Sequence, residues 1–226
     1  MGSMFRECLG LTSLDLSMFD TRNVKDMLSM FEGDIYLVDL DVSSFITTNV
    51  QDMSSMFFSC RLTSINLKNF ETKNVEDFSN MFAGCDRLKY LDLSNFNPIK
   101  VSDFSCMFQN CSSLTSIKFA GFYTKNAIDM TYMFSGCISL ENLDLKDFDT
   151  SQVQTMEGMF SECNQATYFD LSSFRTHNVI IMRNMFKGDT AVTSIDLSSF
   201  DTSKVENMEN TFFFLQFFKK TKFIKF

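Results

Sequence analysis

The sequence has few of the residues that linkers and most catalytic sites require. Its 226 residues include one proline (Pro98), one histidine (His177), eight glycines and no tryptophan. Because no stretch rich in Gly, Pro or Ser interrupts the chain, we expect neither a flexible linker nor disorder. A lone histidine, with no recurring Cys-His or Ser-His pair, provides no assembled candidate for acid–base or nucleophilic catalysis. We therefore expect a single elongated domain that is not an enzyme.

Basic charge and long apolar runs are also scarce. The chain has 20 Lys and Arg against 28 Asp and Glu, and no basic stripe recurs at a fixed spacing. Nucleic acid is therefore not an expected partner. No window reaches the roughly 18 apolar residues that a transmembrane segment needs, and residues 1–10 lack the pattern of a signal peptide. Residues 1–3, Met-Gly-Ser, are typical of a cloning-vector remnant. Because candidate catalytic groups, basic stripes and transmembrane segments are lacking in the sequence, we expect the function to reside in the exposed surface of the protein.

What the sequence does contain is a repeat. A Met-Phe pair recurs at steps of 26 residues, with a single step of 25, and a decayed ninth copy begins at Thr211. The eight copies begin at Met4, Met30, Met56, Met81, Met107, Met133, Met159 and Met185. A fixed period in this range predicts a solenoid, in which each copy is one coil stacked on the last. We number each coil from its Met as position 1 and expect the solenoid to occupy residues 4–210.

Each coil contains two patterns of apolar residues. In residues 88–93, Leu-Lys-Tyr-Leu-Asp-Leu, apolar and polar residues alternate, which predicts a strand with one buried face. From position 21 to position 5 of the next coil, the apolar residues share one helical face, and Asn-x-x-Asp at 23–26 and 49–52 is typical of a helix start. The sequence therefore predicts an α/β solenoid, a leucine-rich-repeat-like superhelix of about eight 26-residue coils. A parallel β-sheet would form one face, and short helices or helical turns the other.

The repeat motif also resembles a known family. Leu-x-x-Leu-x-Leu occurs together with Met-Phe-x-x-Cys, as in Met133–Cys137, and with Asp-Leu-Ser-x-Phe-Asp-Thr, as in Asp196–Thr202. This combination resembles the BspA-type leucine-rich-repeat surface proteins of bacteria and protists, including mycoplasma repeat lipoproteins, over Met4 to about Asn210. The resemblance implies a location at the cell surface or outside the cell. It also implies adhesion to host or neighbouring-cell proteins and no enzymatic activity, and it names no ligand.

Two columns of equivalent side chains could in principle hold metal ions or disulfides. Six of the seven cysteines occupy position 5, where Asp34 and Asp189 fill the other two copies. Because stacked thiols would lie parallel and about 4.8 Å apart, we predict buried free cysteines rather than disulfides. Without a Cys-x-x-Cys motif we expect no zinc site.

Aspartates recur at position 12, but Asn66 and Lys118 interrupt that row. We interpret the row as solvated acidic surface, with a protein-binding face and a cation ladder as alternatives, and predict no cofactor.

A few residues on the exposed face of the predicted sheet depart from the repeat. Tyr90 and Tyr168 replace the usual Ser at position 10, and Lys118 interrupts the acidic row. Tyrosine is a good contact residue because it is large, rigid and amphipathic, although random drift on a solvated face would give the same departures. The candidate ligand contacts are Tyr90, Asp92, Lys118, Asp144, Tyr168 and Asp170. We expect a protein or glycoprotein partner, host matrix included, that is bound through many weak contacts along the array.

The two ends of the chain differ from the repeat. The sequence begins in mid-unit at Met4, which suggests a fragment of a longer array. Residues 211–226 are rich in Phe and Lys, and we interpret them as a cap over the last coil, with a membrane-surface anchor or a self-association segment as alternatives. The last of these gives an alternative function for the whole chain. It would be a structural protein that assembles through its coil edges and its C-terminal tail.

Overall fold

The coils stack in register on the side that carries the Met-Phe pairs. The structure, a computed structural model, describes residues 1–215. Parallel bridges join the residues at position 23 of successive coils, through Asp26, Asp52, Asp77, Asp103, Asp129, Thr155, Ile181 and Asn207. Met1 and Ser3 belong to the same ladder, because their nitrogen atoms donate to the carbonyl oxygens of Asp26 and Leu28. The chain is therefore a solenoid, and the predicted tail lies outside the described residues from 216 onward.

Four short strands form on the opposite side of the coils. They are β1 (Tyr90–Asp92), β2 (Ser116–Lys118), β3 (Tyr168–Phe169) and β4 (Ser194–Ile195). β1 pairs with β2, and β3 pairs with β4, each in parallel. These are the positions at which period-two alternation predicted strands in coils 4, 5, 7 and 8. A continuous sheet was expected, but within residues 1–215 this side forms only two two-stranded pieces.

The sequence predicted short helices or helical turns on the Met-Phe side, and residues 1–215 form consecutive turns there but contain no helix. Along positions 24 to 5 the amides alternate between two kinds of partner. The amides of Phe78, Asn80, Phe82 and Gly84 donate to carbonyl oxygens of the next coil at 3.0, 2.8, 2.9 and 2.7 Å. The intervening amides, such as that of Met81, donate three residues back within the coil. Every second amide is thus bonded to another coil, so the bonds between residues i and i−4 that an α-helix needs cannot form.

Backbone conformation enforces the same arrangement of consecutive turns. Positions 26 and 4 have positive φ in each coil, as at Asn80 (57°) and Gly84 (74°). A left-handed residue every fourth position in this segment interrupts a right-handed helix. Glycine or asparagine, which adopt this conformation most readily, occupies many of these positions, and the others are Ser, Glu, Cys, Tyr or Phe. The Asn-x-x-Asp sequences that resembled helix starts have other roles here. Asn49 donates to the carbonyl oxygen of Arg22 in the preceding coil, while Asp52 accepts the amide of Ser54.

The core consists of columns of identical side chains. The apolar residues of the supposed helical face, for example Val75, Phe78 and Met81, are fully buried, so their burial was predicted correctly. The Phe at position 2 forms a continuous stack of rings with centroid distances of 5.5 to 6.0 Å. The stack comprises Phe5, Phe31, Phe57, Phe82, Phe108, Phe134, Phe160, Phe186 and Phe212. Consecutive coils are therefore interlocked by aromatic packing as well as by hydrogen bonds.

The cysteine column consists of free thiols, as predicted. Each Sγ from coil 3 to coil 7 donates to the carbonyl oxygen of a position-2 Phe in the preceding coil; for example, Cys85 donates to Phe57 at 3.1 Å and Cys137 to Phe108 at 3.1 Å. Burial raises the pKa of Cys85 and Cys137 to about 12. These thiols stay protonated at neutral pH and serve as hydrogen-bond donors between coils.

Buried threonines at position 18 form a further link between coils. The hydroxyl of Thr150 donates to the carbonyl oxygen of Arg175 at 3.1 Å and accepts the amide of the same residue at 2.7 Å. The same reciprocal pair joins Thr21 to Ile46, Thr47 to Glu71 and Thr176 to Asp201. One hydroxyl thus satisfies both backbone groups of a residue in the next coil.

Replacing Thr150 with valine should lower the free energy of unfolding by about 2 to 3 kcal/mol, because the isosteric side chain leaves the amide and the carbonyl of Arg175 without this partner. Urea denaturation followed by circular dichroism measures the change. Thr202→Val is the matched control, since the Thr202 hydroxyl makes no hydrogen bond within residues 1–215. Equal stability of the two variants would show that the threonine column does not hold the coils together.

Candidate functional site

The first half of the candidate site lies on β1 and β2. Leu91 and Ile117 are paired in register and buried, so Tyr90, Asp92 and Lys118 project outward on the flanking positions. Lys118 Nζ lies 3.1 Å from Asp92 Oδ2. Hydrogen bonds from the side chain and amide of Ser94, together with the Lys118 ammonium, lower the pKa of Asp92. Tyr90 remains 49% exposed, so its ring is available to a partner.

The second half lies on β3 in coil 7. Phe169 is buried, and Tyr168 and Asp170 flank it on the outward side. Tyr168 is 48% exposed. Partial burial, followed by the nearby carboxylates of Asp170 and Asp196, raises the pKa of Tyr168. Asp170 accepts the amide and the hydroxyl of Ser172 and forms no ion pair with any residue of 1–215.

Coil 6 lies between these halves and contributes Asp144. Its Oδ2 is 2.8 Å from Lys146 Nζ, and the amide of Lys146 donates to Oδ1. The side chain and amide of Lys146 thereby lower the pKa of Asp144. Residues 141–144 form no backbone hydrogen bond to coil 5 or coil 7 within the described chain. The strand side of the solenoid is therefore open on both sides of this segment.

Two adjoining clefts occupy these openings. The first cleft has a volume of about 330 Å³ and is lined by Tyr90, Lys118 and Asp144 together with Phe119, Ala120 and other residues of coils 5 and 6. The second cleft, about 280 Å³, lies between coils 6 and 7 and is lined by Asn142, Asp144, Lys146, Tyr168 and Asp170. Asp144 and Lys146 line both clefts.

The structure thus brings the six predicted contact residues onto one surface. Five of them line the clefts, and the sixth, Asp92, forms an ion pair with Lys118.

The residues that create the first cleft were not among those predicted from the sequence. In most coils a Ser or Asn at position 15 donates to the position-13 carbonyl oxygen of the preceding coil, as Asn95 does to Leu67 at 3.0 Å. Coil 5 has Gly121 there, preceded by Ala120, and the small side chain of Ala120 lines the first cleft.

The position-15 hydrogen bond between coils 5 and 6 differs from that between the other coils. The amide of Gly121 donates to Asp147 Oδ2 at 3.2 Å, so the position-15 side chain of coil 6 accepts a hydrogen bond from coil 5 instead of donating one to it. Nothing lies within 4 Å of the place that a Cβ on Gly121 would occupy, and its φ is 76°. The signal that could have located the cleft was the change from Ser-Asn to Ala-Gly at positions 14 and 15 between coils 4 and 5.

The aspartate row at position 12 shapes the turn that follows each strand. Asp15, Asp41, Asp92, Asp170 and Asp196 each accept the amide of the residue two positions later at 2.9 to 3.1 Å. This is the hydrogen bond of an Asx turn. Within residues 1–215, no three His, Cys, Asp or Glu side chains are grouped closely enough to hold a metal ion. The row therefore has a local structural role that the sequence argument did not anticipate.

No helix among the described residues is long and apolar enough to cross a membrane.

Comparisons with known proteins identify a family. A profile described as "Mycoplasma protein of unknown function, DUF285" matches residues 1–116, 34–141 and 128–223. A search of the curated proteins finds no match. Among solved structures, a leucine-rich repeat protein from Bacteroides ovatus is 16% identical over 92% of this chain and 68% of its own, with a TM-score of 0.36. An internalin, inlF from Listeria monocytogenes, is 10% identical over 86% of this chain and 76% of its own, with a TM-score of 0.26. Both scores are low, so the solenoid assignment rests on this chain's own contacts.

Proposed function

The chain belongs to the family described as "Mycoplasma protein of unknown function, DUF285", and we propose that it is a protein-binding repeat module without enzymatic activity. Its binding surface is the strand side of coils 4 to 7. We further propose that the module is displayed at the cell surface or outside the cell, where it adheres to host or neighbouring-cell macromolecules. The resemblance of the repeat motif to BspA-type surface proteins supports this location.

The observation that carries the proposal is the convergence of Tyr90, Lys118, Asp144, Tyr168 and Asp170 around two adjoining clefts. Exposed tyrosines beside charged groups supply large contact areas with little loss of conformational entropy. The first cleft combines an apolar lining with a few polar groups, as binding sites commonly do. The column thiols of coils 3 to 7, by contrast, are buried and donate to carbonyl oxygens of the preceding coils, which supports a role in joining coils and not in nucleophilic chemistry.

The test is a binding screen against purified matrix proteins by biolayer interferometry. We expect the combined substitutions Tyr90→Ser, Lys118→Asp and Tyr168→Ser to weaken binding at least about tenfold, because anchor residues near the centre of an interface contribute about 2 kcal/mol or more. The matched control carries Tyr36→Ser, Tyr123→Ser and Lys125→Asp, which change the same residue types at exposed positions elsewhere. Binding that is equally sensitive to both sets, or insensitive to the first set, would contradict the proposal.

The alternative of self-assembly depends largely on the C-terminal tail. Of residues 211–226 the structure describes only 211–215, which continue the Met-Phe side with the Phe186–Phe212 ring contact at 6.0 Å. No observation in the described residues favours assembly over binding, so binding remains the proposal.

A further inference from the structure

We propose that the two clefts beside coil 6 bind an extended polypeptide in which an apolar side chain is followed, two residues later, by Lys or Arg. This inference rests on the proposed function, because it specifies the chemistry of the partner that the same surface takes. The apolar side chain would enter the first cleft, and the basic side chain would enter the second.

The first cleft suits an apolar side chain. Its floor is formed by Ile117, Phe119 and Ala120, and the ring of Tyr90 forms one wall. Ile117 and Phe119 are almost completely buried, so only small parts of them are exposed in the cleft. Lys118 and Lys146 are already paired with Asp92 and Asp144 at the rim. Asp147 also lines this cleft, and its Oδ2 accepts the amide of Gly121 at 3.2 Å. An apolar group can therefore bury against the floor while the charged groups around the rim keep these partners.

The second cleft suits a cation. Asp144 and Asp170 both line it, and Lys146 is paired with Asp144 alone. Asp170 forms no ion pair among the described residues, so its carboxylate is available to a cation in the cleft. An Arg or Lys there would pair with Asp170 and lie against the exposed ring of Tyr168, which combines a charge-assisted hydrogen bond with a cation–π contact.

The main chain of coil 6 favours a peptide over a sugar. In a parallel arrangement, backbone N–H and C=O groups point towards the neighbouring strands, which here are separated from residues 141–144 by the clefts. Those groups have no backbone partner in coils 5 and 7. A peptide main chain offers both donors and acceptors to them. Alternate side chains of an extended peptide point to the same face about 6.8 Å apart, so two of them can enter the clefts on either side of coil 6.

The experiment is selection of a phage library of random octapeptides on the full chain. We expect enrichment of sequences with an apolar residue two positions before Lys or Arg. A fluorescent peptide containing Leu-Gly-Arg should then bind in a polarisation assay, and its Leu-Gly-Glu counterpart should bind at least about tenfold more weakly. Ala120→Leu, which fills the first cleft, and Asp170→Asn, which removes the unpaired carboxylate, should each reduce binding by a similar factor.

Two control variants place the same changes at equivalent coil positions outside the clefts. Ser198→Leu matches Ala120→Leu at position 14, and Asp41→Asn matches Asp170→Asn at position 12. Both should bind the Leu-Gly-Arg peptide as the original chain does, and thermal melts verify that all four variants are folded. Enrichment of acidic peptides, or equal binding by Ala120→Leu and its control, would overturn the inference. The inference would also be overturned if glycans on an array bound the original chain but not Ala120→Leu or Asp170→Asn.

The outcomes also separate this inference from the proposed function. If no peptide is enriched but a matrix protein still depends on Tyr90, Lys118 and Tyr168, the surface binds a partner of another class and only the peptide inference fails. If the triple variant retains full binding to every partner found, the proposed function fails as well.

Discussion

Phe108→Ala is expected to lower the free energy of unfolding by about 3 to 5 kcal/mol, the range for truncating a fully buried Phe. The ring of Phe108 is stacked between Phe82 and Phe134 at centroid distances of 5.8 and 5.5 Å and also contacts Phe119 edge-on. Alanine would remove contacts with coil 4 and coil 6 at once. Because a solenoid is stabilised by interfaces between neighbouring coils, a gap in the middle should also weaken the cooperativity between the two halves.

The matched control is Phe5→Ala, at the same coil position. Phe5 is only partly buried and contacts Phe31 and Phe19, so its loss should cost roughly half as much and leave one transition. Urea unfolding followed by circular dichroism measures both the midpoint and the slope. For Phe108→Ala we expect a lower midpoint with a shallower slope or two resolved transitions. If the two variants were equally stable, the ring stack would not couple the coils.

The sequence predicted the column structure because register follows from the repeat itself. A period of 26 residues places equivalent side chains above one another, and this made the buried thiols and the apolar columns predictable. The Phe at position 16 forms a column too, but its rings stack only in pairs such as Phe70–Phe96 and Phe174–Phe200. The continuous stack is formed by the Phe at position 2. Which column stacks continuously depends on the backbone path, which the periodicity does not specify.

The failed helix prediction has a specific cause. Apolar residues at positions 21, 24, 1, 2 and 5 fit a helical face, but the same residues are buried equally well by turns that advance along the solenoid. Residues with positive φ distinguish the two possibilities. Gly33, Gly84, Gly136 and Gly188 all occupy position 4, and a glycine recurring there is a turn signal that the helical interpretation did not use.

The sequence predicted the residues of the candidate site but not the clefts between them. Tyr90 and Tyr168 stood out because they break the repeat on a face that alternation had already made exposed. The clefts between them lie beside the small side chain of Ala120 and the unbonded segment 141–144. Neither is visible until the hydrogen bonds between coils are known, since a missing bond leaves no mark of its own in the sequence.

Asp189→Cys is expected to make the protein more stable at pH 8, with a gain that becomes smaller as the pH falls towards 3.8. Asp189 occupies the cysteine column of coil 8 and is fully buried. Its Oδ1 accepts the amide of Cys163 at 2.8 Å, but Oδ2 has no hydrogen-bond partner. Burial raises the pKa of Asp189 from 3.8 to about 8, against the lowering effect of the Cys163 amide. The folded chain therefore holds a proton on Asp189 at pH values where the unfolded chain has released it.

The sign of the pH dependence follows from this difference. Below pH 3.8 both states are protonated, and Asp189 contributes no slope. Between 3.8 and about 8 the folded state binds more protons than the unfolded state, so the free energy of unfolding falls by up to about 1.4 kcal/mol per pH unit. Above about 8 both states are ionised and the loss is complete. Asp34 adds to the slope only up to about pH 6, because burial raises its pKa to about 6.

Denaturation midpoints measured at half-unit steps from pH 5 to pH 8.5 separate the two carboxyl groups. Asp189→Cys and Asp189→Asn should both remove the slope between pH 6 and pH 8, because neither side chain titrates there when buried. Asp34→Cys should remove only the part below about pH 6. Asp86→Asn, which changes a half-exposed carboxylate, should leave the profile unchanged. If the profile of Asp189→Asn matched that of the original chain, the proton would have to reside on another group. The carboxyl of Asp189 would then be ionised inside the thiol column.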